Sequence, residues 1–179
     1  MAWRDGGVRL RVALAALLLL AGCAADRAGP APAAATADVL LARLPESIGA
    51  FRRGVTAPVS DPAPGSEVPY ATPNRAIAGY VQVLRRDAPL NPEELQRFVA
   101  AVATGSSRRM TERAQPTIAG MRCAALDGTY GRQAVESLAC TGDFGGQMVR
   151  LRLTMARRGD RMTEARGFAE GVAAALRGG

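Results

Sequence analysis

The sequence predicts an α+β domain, an antiparallel sheet of about five strands with helices packed on it. Three observations predict it. Segments at 77–84, 118–126, 134–141 and 147–156 have strand length and strand-like patterning. Segments around 95–102 and 165–176 carry apolar residues at helical spacing. The two kinds do not alternate strictly, as repeated βαβ units would require.

Asp38 to Leu44 reads as one or two helical turns, stopped by Pro45. Ile48 to Val55 reads as an edge strand interrupted by Gly49 and Gly54. Residues 58–73 hold Pro58, Pro62, Pro64, Pro69 and Pro73. Proline cannot donate to a strand ladder, so this stretch is expected to be a loop or an edge crossing. Ile77 to Leu84 follows as a strand, with Ile77, Gly79, Val81 and Val83 on one face. Asn91-Pro92-Glu93-Glu94 reads as a helix start, with Asn91 as cap, Pro92 in the first helical position and the acids at the positive end of the dipole. Leu95, Phe98, Val99 and Val102 form the apolar stripe, and Gly105 ends it. A second short helix is expected from Ser107 to Gln115. Then come a strand at Ile118–Leu126, a turn opened by Asp127-Gly128, and a return strand at Ala134–Thr141.

Gly142-Asp143-Phe144-Gly145-Gly146 lacks the spacing of a phosphate cradle and reads as a hairpin turn. Gln147 to Ala156 is the best strand: Val149, Leu151, Leu153 and Met155 point one way, Arg150, Arg152 and Thr154 the other. One face is expected to be buried and one wet. Ala165, Phe168, Ala169, Val172 and Leu176 define a last amphipathic helix, closed by Gly178-Gly179. The element order is similar to the small PsbP-like sandwich of some envelope and lumenal proteins.

Composition removes much chemistry. The chain has 179 residues and a formal net charge of +7, and all 23 of its lysine-plus-arginine cations are arginine. Without histidine there is no Ser–His or Cys–His mechanism. Without lysine there is no Schiff base and no phosphate-loop lysine. A carboxylate pair remains arithmetically open, yet Glu93 and Glu94 read as helix-start residues, and Asp127, Asp143 and Asp160 as turn or cap residues. No cofactor is called for. There is no interleaving of basic and aromatic residues at nucleic-acid spacing.

The N-terminus is more specific. Arg4, Arg9 and Arg11 precede an apolar run from Val12 to Ala21. That run is half the roughly 20 residues needed to span a bilayer, so it fits a secretory signal rather than a lasting span. It ends in Leu20-Ala21-Gly22-Cys23, which resembles the lipobox of bacterial lipoproteins. The resemblance implies residues 1–22 as a signal peptide and Cys23 as the acylated first residue of the mature chain. It also implies the lipoprotein processing and sorting machinery as partners, and membrane lipid as the anchor through acyl chains such as palmitate. Two chains suffice for durable attachment where one gives marginal binding. In that family an aspartate directly after the cysteine favours inner-membrane retention. Here Ala24 and Ala25 come first and Asp26 third, which points to the outer membrane, on its periplasmic face. The alternatives are an inner-membrane anchor, or an ordinary signal peptide cut near Ala21–Ala25 and a secreted product.

Residues 23–37 are then the lipidated cysteine with an Ala/Pro-rich tether, and 38–179 a single domain of 142 residues. From Cys23 on, the chain keeps 20 arginines against 15 acids, net +5. Assigning Cys23 to lipid leaves Cys123 and Cys140 as an even pair in an oxidising space, so a disulfide is expected between them. The alternatives are a buried reduced pair or a redox couple, although sixteen intervening residues are unlike a CxxC motif. Two thiols without histidine make a poor metal site. Setting Cys123 opposite Cys140 gives an antiparallel register in which Ala125 faces Leu138 and the loop falls around Thr129 to Gln133.

For function, Arg150, Arg152, Arg157 and Arg158 are candidates for an anionic contact, as forks on lipid phosphate, glycan carboxylate or an acidic protein. The plain alternative is a solvated face paired with local acids. The expected function is a lipid-anchored, non-catalytic binding or assembly module of the envelope, with a protein or glycan partner. A carboxylate-based hydrolase of an envelope glycan and a small-ligand carrier are the alternatives.

Overall fold

The computed structural model describes residues 36–104 and 108–178. The signal sequence, Cys23, the tether to residue 35, Gly105 and Gly179 lie outside them. The elements run α1 (Ala37–Arg43), β1 (Ser47–Ile48), β2 (Phe51–Arg53), β3 (Ala57–Val59), β4 (Gly65–Ala71) and β5 (Ile77–Leu84). They continue with α2 (Glu94–Ala103), β6 (Arg108–Ala114), β7 (Thr117–Ile118), β8 (Met121–Tyr130), β9 (Gln133–Phe144), β10 (Gln147–Ala156) and α3 (Arg161–Arg177).

The fold-class expectation is corrected. Among the described residues the domain is mostly antiparallel β, one ten-stranded sheet with three helices, not an α+β sheet of about five strands. The order is β1-β2-β4-β5-β10-β9-β8-β6, with β3 beside β4 and β7 beside β8. Two misreadings account for most of the difference. The proline-rich stretch is not a loop throughout: β4 pairs with β5 on one side and with β2 and β3 on the other. Pro69 is tolerated there because of where its missing N–H would point. The N–H and C=O of one strand residue face the same side, and the Pro69 carbonyl accepts from Gly54 N at 2.8 Å. Its absent donor therefore falls at the gap between the end of β2 and the start of β3. The second misreading is the expected helix from Ser107, where Arg108–Ala114 is an edge strand on β8.

Other local expectations also shift. Asp127-Gly128 does not open a turn. It stays in β8, and the chain reverses at Gly131-Arg132 between Tyr130 and Gln133. The Asn91 side chain accepts from Glu93 N at 2.9 Å, and its carbonyl accepts from Glu94 N at 3.0 Å. It thus bends the chain one step ahead of α2 instead of capping it. Gly145 and Gly146, both at positive φ (57° and 81°), form the tight β9–β10 turn, as two-residue hairpins require.

The β8–β9 register matches the expected one, with Cys123 opposite Cys140 and Ala125 opposite Leu138. The two sulfurs lie at disulfide distance, 2.09 Å, with the Cα atoms 4.0 Å apart. They sit in the larger core, between the sheet and the helices α1 and α3. Phe168 of α3 centres this core, with ring contacts to Phe51 at 4.4 Å and Tyr70 at 5.1 Å. Among the described residues the opposite sheet face carries α2 alone. Leu95, Phe98, Val99 and Val102 pack there on Ala124, Leu126 and Ala139. Strand β10 therefore lies in the middle of a sheet with helices on both sides, and its polar face is not simply wet: Arg150 is buried.

Candidate functional site

Register fixes which polar side chains share the α2 face. One row crosses five strands: Glu67, Gln82, Arg150, Thr141 and Arg122. Helix α2 closes one end of it. Arg150 Nη2 donates to Glu94 Oε2 at 3.0 Å, and the guanidinium lies 5.0 Å from the centre of the Phe98 ring. Glu94 also accepts from Arg97, and Arg122 donates to the Pro92 carbonyl at 2.7 Å. Thr141 Oγ1 and the Nε atoms of Arg150 and Arg152 have no hydrogen-bond partner among the described residues.

Past the edge of α2 no helix covers the same face among the described residues. Gln82 donates to Glu67 at 2.9 Å. Arg152 stands opposite Tyr80 in the next row, followed by Pro69. Beyond these, Arg52, Arg53, Pro69, Ala71, Arg75 and Ala78 line a depression of about 480 Å³. Arg53 is committed to the Leu44 carbonyl and Thr56. Arg52 and Arg75 are exposed, and among the described residues neither they nor Arg152 has an acidic partner. A rigid turn holds Arg75: the Asn74 carboxamide oxygen accepts from Thr72 Oγ1 and Ala76 N, and Arg75 N donates to the Thr72 carbonyl at 2.8 Å. Beneath the depression, Tyr70 donates its hydroxyl to the Pro45 carbonyl at 2.6 Å. Burial holds its phenol above the ordinary tyrosine value, with Arg53 opposing the shift and Glu46 adding to it.

The four arginines singled out in the sequence do not form one cluster. Arg150 and Arg152 share the α2 face, the first under the helix and the second beyond it. Arg157 turns instead to Asp127 (3.7 Å) and Glu136 (4.0 Å), and Arg158 is exposed. Asp127 and Glu136 face each other across the β8–β9 ladder, and Arg113 holds Asp127 from the other side at 2.8 Å. Glu94 and Asp143 are likewise engaged, with Arg150 and Arg86. Asp160 accepts from Thr163 at the start of α3. Among the described residues no three Cys, Asp or Glu side chains converge as a metal site. What the open face offers is guanidinium forks over a shallow, partly apolar floor, which suits an anion. Arg52 and Arg75 were missed in the sequence because only the β2–β4–β5 pairing brings them together. The run Arg52-Arg53 after Phe51 was the one local signal.

Compared with known proteins, the chain matches no family model, no curated protein and no solved structure.

Proposed function

We propose that this chain is a lipid-anchored binding module of the bacterial envelope with no catalysis of its own. Acyl chains on Cys23 tether it to the outer membrane, and the domain faces the periplasm. Its partner is anionic and docks on the open sheet face beside α2. One observation carries the docking reading: α2 stops short, and among the described residues the exposed Arg52 and Arg75 and the half-buried Arg152 on that face have no acidic partner. Unpaired guanidiniums gathered on one surface favour an acidic partner. The lipobox-like Leu20-Ala21-Gly22-Cys23 supports the anchor. The Cys123–Cys140 pair at disulfide distance is in keeping with an oxidising compartment.

The test compares the processed protein with an Arg52→Glu/Arg75→Glu/Arg152→Glu variant, both in detergent. Acidic-glycan and acidic-peptide matrices are set against neutral ones. The wild type is expected to be retained on an acidic matrix in a salt-sensitive way, and the folded variant to pass through. Equal retention of both would overturn the docking face.

A further inference from the structure

On the other side of the sheet, two adjoining cavities of about 360 and 340 Å³ share Ala50 and Glu164. They make one groove between the β1–β2 hairpin, the Thr72–Ala76 turn and the first half of α3. Its two ends differ in chemistry. One is walled by Ile48 and Gly167 and reaches the edges of Phe51 and Phe168, rings otherwise buried in the core. The other is lined by Thr72, Asn74, Arg161 and Glu164. Gly167 lines the apolar end, and a Cβ there would meet nothing within 4 Å.

Arg161 and Glu164 lie three residues apart on α3, the spacing of helix-surface neighbours. Among the described residues neither has an ion-pair partner. Arg161 Nη1 reaches only the carbonyls of Ala156 (3.3 Å) and Ala76 (3.5 Å). These steady the guanidinium without neutralising it. Unpaired opposite charges at neighbouring helix positions, next to an apolar recess, complement a small molecule that carries both charges and an apolar group.

We propose that the groove binds an α-amino carboxylate with an apolar side chain. The carboxylate pairs with Arg161, the ammonium with Glu164, and the side chain lies in the apolar recess at the edges of Phe51 and Phe168. The groove shares the Thr72–Pro73 turn with the arginine face but has its own charged and apolar contacts, so it does not depend on that reading.

Calorimetry on the processed protein in detergent tests this with four probes: phenylalanine, 3-phenylpropionate, phenethylamine and glycine. Phenylalanine is expected to bind saturably. Each probe lacking one of the three groups is expected to bind at least about tenfold more weakly, since each lost charge-assisted contact leaves its partner unpaired. Arg161→Gln is expected to weaken phenylalanine by about tenfold or more, and Gly167→Leu to abolish its binding by filling the apolar end. Far-UV spectra show that each variant is folded, and Arg161→Gln carries the test if Gly167→Leu is not. No saturable heat with phenylalanine at millimolar concentration would overturn the proposal. So would binding that a folded Arg161→Gln variant retains in full.

Discussion

Arg150 and Glu94 join the sheet to α2, with Nη2 of one 3.0 Å from Oε2 of the other and side chains only 9% and 17% exposed. The contact places a helix start over the middle of β10. It also explains why an arginine can occupy a strand between two packed layers. Its charge is met by a carboxylate, and its guanidinium lies over the Phe98 ring.

Removing the acid alone should therefore cost more than removing the pair. Glu94→Gln leaves a buried cation without a counter-charge, an expected loss of about 2 kcal/mol after allowing for partial solvent screening. Glu94→Gln/Arg150→Met should recover most of it. Urea denaturation of the two variants checks this, and amide exchange should show the single variant loosening α2 first.

The Cys123–Cys140 pair sits at disulfide distance between neighbouring strands in the core. Cys123→Ala/Cys140→Ala is expected to lower stability by about 3 kcal/mol. Reductant should lower the wild type by a similar amount and leave the variant unmoved. Denaturant melts with and without reductant read both effects.

Tyr70 carries a pH signature. Its buried phenol is held above the ordinary value, so the folded state keeps its proton after the unfolded chain has released it. The contribution is full below the unfolded value of about 10 and is lost as pH rises from there through the higher folded value. Tyr70→Phe gives up the hydrogen bond to Pro45, about 1 kcal/mol at neutral pH. The gap between wild type and variant should narrow as melts are taken to higher pH. A constant gap would contradict this account of Tyr70.

Much of the fold was legible where the local pattern and the packing agreed. The stripe Leu95-Phe98-Val99-Val102, the apolar faces Ile77-Val81-Val83 and Val149-Leu151-Leu153-Met155, and the α3 face through Phe168 and Leu176 bury as their spacing predicts. The Cys123–Cys140 register followed once those residues were set opposite each other. The proline stretch was not legible, because Pro69 is allowed only by a gap in the neighbouring ladder, which no local pattern reveals. Arg108–Ala114 has no apolar period of either kind, and its pairing with β8 decides its state. The site suffered most. Arg150 read as part of an anionic contact or a solvated, locally paired face until register set α2 above it, and Arg52, Arg75 and Arg152 became one surface only through long-range pairing.

Intact-mass spectrometry of the protein taken from the membrane fraction tests the central claim most directly. The predicted species begins at Cys23, carries a diacylglyceryl group on that thiol, and becomes heavier by two hydrogens on reduction as Cys123 and Cys140 open. A full-length chain, or one cut elsewhere with an unmodified Cys23 and no mass change on reduction, would contradict the account.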